Sequence, residues 1–199
     1  VITAEEVYRE YVYDGEKQVS MLEFPEIAEH SIIIDSESKR YSMCGVRIGC
    51  LVTRSKTLHD AAMKFAQARL SPVLIGQILA TAAHDNDAEY IQSVREEYTK
   101  RRNLLVELLN EIPGVKCPTP KGAFYCVAEL PVEDADDFAQ WLLEHFSDNG
   151  ETVMVAPASG FYSVPELGKK QVRIAYVLKE EDLRRSVELI KIALEQYKK

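Results

Sequence analysis

One lysine stands out as a candidate nucleophile. Lys39 follows Ser36 and Ser38, and Arg47 comes eight residues later. The β-branched block Ile32–Ile34 just before it predicts a buried strand. A lysine at a strand end beside apolar neighbours can lose its charge by desolvation, and an uncharged amine attacks a carbonyl to form a Schiff base. Because two hydroxyls and a guanidinium suit a phosphate ester, the group predicts binding of pyridoxal phosphate (PLP), a phosphorylated aldehyde.

The flanking residues define the local geometry that we expect. Ile48–Val52 follows the arginine and predicts a second strand of the same apolar kind. Ser36 and Ser38 are two residues apart, so in an extended segment their side chains would share one face. The sequence therefore predicts two strands that bring the serines and Arg47 to one phosphate.

The same run resembles a known family. Its pattern, Ser-x-Ser-Lys-x-Tyr-x-Met-x-Gly-x-Arg-Ile-Gly, is similar to the cofactor-lysine segment of fold-type I, class I/II aminotransferases, the aspartate aminotransferase family. The resemblance implies that Lys39 holds PLP covalently and acts as the catalytic base and acid. It also implies that Ser36 and Arg47 hold the phosphate, with Ser38 as a secondary candidate. Arg40 fits the pattern without a defined role, and we expect it to form a surface salt bridge.

A second family segment, Asp-Glu-x-Tyr, is matched by Glu5-Glu6-Val7-Tyr8. The resemblance implies that Glu5 contacts the pyridine nitrogen and that Tyr8 bonds to the phenolic oxygen of the cofactor. A carboxylate beside that nitrogen keeps it protonated, which makes the ring an electron sink. Glu5 departs from the family aspartate by one methylene, so either the ring must shift or the side chain must fold. The alternatives are a solvated carboxylate for Glu5 and a core aromatic for Tyr8.

A third candidate, Arg173, lies in the otherwise apolar run 171–177. Burying an unpaired charge is expensive, so this guanidinium needs a partner. The phrase Arg-Ile-x-Tyr is typical of the family, and the resemblance implies that Arg173 pairs with the α-carboxylate of the substrate through two parallel bonds. The alternative is a structural salt bridge to a surface acid.

The order of elements predicts an α/β chain. Resemblance implies that residues 1–84 form the C-terminal portion of a large PLP-binding domain, 85–112 an interdomain helix and 113–199 a small C-terminal α+β domain. We expect helix N-caps at 85–87, a helix end at Pro113-Gly114, and a last helix over 180–197 closed by Lys198 and Lys199. Alternating strands and helices after residue 113 support the small domain.

Composition excludes several classes of protein. The 199 residues carry a net charge of −8, which argues against nucleic-acid binding. There is no apolar run of membrane-spanning length and no signal peptide. The four cysteines lack zinc-like spacing and are expected to be reduced, mostly buried thiols of a cytoplasmic protein. The four histidines form no constellation, so no metal site is predicted.

The resemblance implies a transaminase that moves an amino group between an amino acid, with aspartate as the family default, and a 2-oxo acid. It implies a homodimer, and a parent chain about twice as long whose upstream part holds the rest of the PLP site. We therefore expect this chain to be a C-terminal fragment that is inactive alone and does not hold PLP tightly. A lyase of the same fold, an effector module of a transcription regulator, and a non-catalytic dimerisation piece stay open as alternatives.

Overall fold

The computed structural model describes residues 1–85 and 87–197. These residues divide into two compact units, Val1–Arg95 and Glu96–Lys199. Each unit has its own small sheet and its own helices, so the expected α/β class is confirmed. No helix within the described ranges is long and apolar enough to cross a membrane. The predicted N-cap at Asn86 and the basic helix end at 198–199 lie outside the described residues.

The first unit is built on a three-stranded sheet. Its elements are β1 (Ile2–Glu5), β2 (Ser31–Ser36), α1 (Glu37–Arg40), β3 (Gly49–Val52), α2 (Lys56–Arg69), α3 (Leu74–His84) and the start of α4 (Asp87–Asn110). β2 lies in the middle, parallel to β1 and antiparallel to β3. Two short 3₁₀ helices, Met21–Glu23 and Pro25–His30, lead into β2.

Burial in this sheet is less uniform than the apolar runs predicted. Along β2 the burial of the side chains alternates: Ser31, Ile33 and Asp35 are buried, and the residues between them are only partly covered. Every residue of β3 is exposed, so the expectation of a second buried strand is wrong. The reason is that β3 is an edge strand, bonded only to β2 within the described chain, and neither of its faces is fully covered.

The second unit is an α+β arrangement with a continuous apolar core. Its elements after α4 are β4 (Tyr125–Glu129), α5 (Ala135–Glu144), β5 (Ala156–Pro157), β6 (Gln171–Ala175) and α6 (Glu180–Gln196). The sheet is antiparallel in the order β4-β6-β5. Leu109 of α4, Phe138 of α5, Val172 of β6 and Ile190 of α6 all lie in one buried cluster. Burial of these side chains is the main driving force that joins helices to sheet.

Several predicted boundaries hold and others shift. α4 ends at Asn110, just before Pro113-Gly114, and Gly114 has a φ of +85°, which an L side chain rarely adopts. The predicted strand at 115–117 is reduced to one bridge between Lys116 and Glu129. The cysteines are free, but Cys44 and Cys50 are exposed, so only half of them match the expectation of buried thiols.

Candidate active site

The topology of the first unit gathers the predicted cofactor residues at one edge of the sheet. Glu5 is the last residue of β1, and it pairs with Ile34 near the end of the parallel strand β2. Ser36 ends β2 and pairs with Gly49, the first residue of β3, which places Arg47 just before the same edge. The carboxyl ends of parallel strands are where open α/β sheets bind ligands.

Lys39 does not lie in an extended segment. It lies in the four-residue helix α1, directly after β2, and its side chain is half-buried. The Nζ atom is 6.0 Å from the ring centroid of Tyr8, and the Tyr11 hydroxyl donates a hydrogen bond of 2.6 Å to the carbonyl of Lys39. Lys39 and Tyr8, which are 31 positions apart in the sequence, are therefore neighbours in space.

The two serines meet by a different geometry from the one expected. Ser36 is the N-cap of α1 and accepts a hydrogen bond from the Ser38 backbone N–H. The two hydroxyl oxygens are 2.8 Å apart, and Ser36 Oγ also donates to the carbonyl of Ile48 at 3.1 Å. A shared strand face is thus the wrong explanation, but a strand-to-helix turn brings the hydroxyls together all the same.

Arg47 reaches this edge with an unusual backbone. Its φ is +59°, a left-handed conformation that is uncommon for a residue with a side chain. The guanidinium donates to the carbonyl of Cys44 at 2.8 Å and lines a cavity of about 910 Å³ together with Ser36 and Ser38. The helix α2 supplies part of the apolar wall of this cavity, through Phe65 and its neighbours.

The chemistry of these donors fits a phosphorylated aldehyde. Two hydroxyls and one guanidinium on a common cavity can bind a phosphate, and an amine lies one residue beyond the second serine. Glu5 is exposed at the strand end, while its neighbour Glu6 is buried. Glu6 accepts bonds from the Gln18 amide, the Ser20 hydroxyl and the Met21 N–H, so it has a structural task and Glu5 remains available to a ligand.

One thiol in the cavity has a shifted acidity. Partial burial, with the negative charges of Asp35 and Glu37, raises the pKa of the Cys50 thiol above its usual value. The thiolate is disfavoured there because desolvation and like charge both oppose a new anion. Cys50 is thus suited to stay protonated near neutral pH, and sequence reasoning did not single it out.

Arg173 belongs to the second unit and is described within it. It lies in β6 and pairs across the sheet with Val127 and Ala156. Its guanidinium carbon lies 4.7 Å from the Phe161 ring centroid and 5.1 Å from that of Tyr125. No carboxylate forms an ion pair with it in the ranges 1–85 and 87–197, so the alternative of a structural salt bridge is not what the described chain shows. A planar guanidinium held between two rings can bind a carboxylate by donating hydrogen bonds to it.

Comparison with known proteins identifies the family of the chain. The family model for aminotransferase class I and II matches residues 1–190, and the chain therefore belongs to that family. It is 31% identical to the aspartate aminotransferase of Bacillus subtilis over 99% of this chain and 50% of the relative. It is 32% identical to the (5-formylfuran-3-yl)methyl phosphate transaminase of Methanocaldococcus jannaschii, over 96% of this chain and 49% of that one.

Solved structures show the same fold. The aromatic aminotransferase from Pyrococcus horikoshii superposes with a TM-score of 0.85 at 26% identity, covering 98% of this chain and 51% of the other. The aspartate aminotransferase from Rhizobium meliloti gives a TM-score of 0.82 at 29% identity, over 97% and 49%. The resemblance seen in the sequence is confirmed, and the chain spans about half the length of the relatives that it matches.

Proposed function

We propose that this chain supplies the covalent lysine and the phosphate-binding edge of a PLP-dependent transaminase. The observation that carries the proposal is that Ser36, Ser38 and Arg47 line one cavity at the edge where β2 ends. Lys39 lies in the turn directly after this strand, with its Nζ 6.0 Å from the Tyr8 ring centroid. Family membership supports the class of reaction, an exchange of an amino group between an amino acid and a 2-oxo acid.

Each residue has a task that follows from its chemistry. The Lys39 amine would hold PLP through its aldehyde carbon, whose oxygen leaves as water. Once displaced by the amine of the substrate, Lys39 would move a proton from the substrate α-carbon. Ser36, Ser38 and Arg47 would bind the phosphate, and the single positive charge of Arg47 would offset part of its negative charge. Bound PLP supplies an electron sink that stabilises the negative charge left by the α-proton.

Polarisation of the ring falls to residues of β1 and the turn after it. A carboxylate from Glu5 would hold a proton on the pyridine nitrogen, and the Tyr8 hydroxyl would donate to the phenolic oxygen. Glu5 is longer than the family aspartate, but its exposed position leaves it free to adopt another rotamer. We propose that the substrate α-carboxylate pairs with Arg173, whose ring-stacked guanidinium has no described acid partner.

Aspartate is the substrate that the names of several relatives suggest, and a dimer of the full-length protein is part of the same proposal. Transfer can be tested on the protein that contains this segment, by following the 2-oxo acid formed from aspartate with and without an acceptor 2-oxo acid. Turnover only with the acceptor supports transamination. Release of many equivalents of oxo acid per active site without the acceptor would identify a lyase instead, because a transaminase stops after one.

Reductive labelling tests the lysine assignment on this chain directly. The chain is mixed with excess PLP, reduced with borohydride and digested, and the modified peptide is identified by mass spectrometry. Lys39→Ala should abolish the principal modification, and also the visible absorbance that is recorded with PLP before the reduction. The matched control is Lys56→Ala, since Lys56 is an exposed lysine of α2 whose side chain pairs with Asp60. Principal labelling of any lysine other than Lys39 would overturn the assignment.

A further inference from the structure

The residue after the lysine is buried in an unexpected way. Arg40 was expected to form a surface salt bridge, but only 5% of its surface is exposed, and that expectation is wrong. Its Nε donates to Glu10 Oε1 and its Nη2 to Asp35 Oδ2, both at 2.8 Å, and Nη1 lies 3.5 Å from Glu37. A buried arginine with three carboxylates is a costly arrangement, so the position calls for an explanation.

The helix that carries Lys39 needs external support. α1 has only four residues, far fewer than a helix needs to be stable alone. Within it, the Tyr41 N–H bonds to the Glu37 carbonyl and the Ser42 N–H to the Lys39 carbonyl, both at 3.3 Å. These long bonds hold one turn only, so its orientation must come from tertiary contacts.

Asp35 connects the two sides of the lysine. Its Oδ1 accepts from the Ser36 N–H at 2.8 Å, on the phosphate side, while its Oδ2 accepts from Arg40. The Asp35 carboxylate thus links Ser36, which precedes Lys39, to Arg40, which follows it. Successive side chains on a helix diverge by about 100°, so an inward Arg40 turns Lys39 away from this ion pair. Lys39 then lies on the side of Tyr8.

The three carboxylates of Glu10, Asp35 and Glu37 depend on Arg40 for much of their charge compensation, since Arg40 pairs with all three. Arg9 also bonds to Glu10 and Asp35 at 3.0 Å, and His84 Nε2 lies 3.2 Å from Glu37 Oε1. Burial opposes the Arg40 charge, but the hydrogen bonds and negative charges of Asp35 and Glu10 outweigh it and raise the pKa of Arg40. Glu10 Oε2 is buried without a hydrogen bond to the described residues, so the negative charge of Glu10 is stabilised mainly through its other oxygen, Oε1.

We infer that Arg40 is a positioning residue, which, by pairing with Asp35 and Glu10, holds the Lys39 amine where it can react with a phosphorylated aldehyde bound by Ser36 and Arg47. The inference rests on the proposed function for the identity of that aldehyde. Arg40 itself is turned away from the ligand and acts through the backbone of α1.

Two measurements on the full 199-residue chain test this inference. The first is amide hydrogen exchange in peptides covering residues 37–42, which needs no ligand. Arg40→Gln should speed exchange there by about tenfold or more, because the ion pairs that orient the turn are lost. The second is reductive labelling with PLP, in which the share of label at Lys39 should fall roughly ten- to a hundredfold.

The chain offers a matched control and a conservative rescue. Arg185 also pairs with three carboxylates, Asp148, Glu151 and Glu188, but it does so at the surface of the other unit. Arg185→Gln should leave both readouts unchanged. Arg40→Lys should restore them in part, because a lysine keeps the charge but not the two-pronged geometry. It also serves as the test variant if circular dichroism shows that Arg40→Gln is unfolded.

The outcomes separate the two proposals. If the wild-type chain labels Lys39 preferentially and the Arg40 variants do so equally well, the positioning inference is overturned and the proposed function stands. If the wild-type chain shows no preference for Lys39, the proposed function fails, and Arg40 has no cofactor lysine to position. Unchanged exchange in both Arg40 variants would contradict the inference regardless of labelling.

Discussion

Replacing Gly49 with alanine tests how closely β3 must approach β2 for the phosphate-binding edge to form. Gly49 pairs with Ser36, and a Cβ built on it would lie 2.8 Å from the backbone oxygen of Asp35. Ordinary contact begins at 3.4 Å, so the strand would have to move by about 0.6 Å. The obstacle is backbone in the middle of a sheet, so it cannot rotate away as a side chain can.

The expected loss of stability follows from this displacement. Overpacking of this kind costs about 1–3 kcal/mol, and for a unit of about 95 residues each kcal/mol lowers Tm by about 4–8 °C. We therefore expect the Tm to fall by at least about 4 °C in thermal unfolding followed by circular dichroism. The bond from Ser36 to the Ile48 carbonyl should also weaken, so labelling of Lys39 by PLP should become slower.

Gly45→Ala is the matched control on the other side of Arg47. A Cβ at Gly45 would meet nothing within 4 Å, and the change should alter the free energy of unfolding by less than about 0.5 kcal/mol. If Gly49→Ala melts at the same temperature as Gly45→Ala and labels Lys39 at the same rate, the close approach of the two strands does not matter and the reasoning is refuted.

Three further predictions concern stability and pH. Phe138→Ala should lower the free energy of unfolding by about 3–5 kcal/mol in urea titration, because Phe138 is fully buried beside Trp141; a loss below about 1 kcal/mol would contradict this. Asp134→Ala should cost about 1 kcal/mol in the same assay, because its side chain caps α5, and an unchanged midpoint would argue against the cap. The raised pKa of Cys50 should slow its alkylation relative to free cysteine near about pH 8.5, and equal rates by mass spectrometry would count against it.

Local chemistry was readable from the sequence. The spacing of Ser36, Ser38, Lys39 and Arg47 predicted a phosphate and an amine at one place, and the register of β2 with β3 brings both serines and the arginine to one cavity. Their individual roles in binding remain predictions. The two strands beside the lysine segment also fall close to where the apolar runs placed them, since β2 spans Ser31–Ser36 and β3 spans Gly49–Val52.

Other residues could not be understood from their neighbours in the sequence. Glu6 received no role from the sequence, yet it is buried and hydrogen-bonded, because residues 18–21 fold back over it. β3 has the composition of a buried strand and is nonetheless exposed at a sheet edge. Phe161 received no attention, although its ring lies against Arg173. Each outcome depends on a contact between residues distant in the chain.

What the sequence alone determined is the family and the order of the elements, because a chemical motif and an apolar period are properties of adjacent residues. The tertiary structure decided which charges are buried and what they hold in place. Arg40 shows the difference: its partner Glu10 is 30 positions away, and only the parallel pairing of β1 with β2 brings that segment beside α1. A charged side chain is stable in the interior only where the fold supplies opposite charges at hydrogen-bonding distance, and no local pattern specifies that.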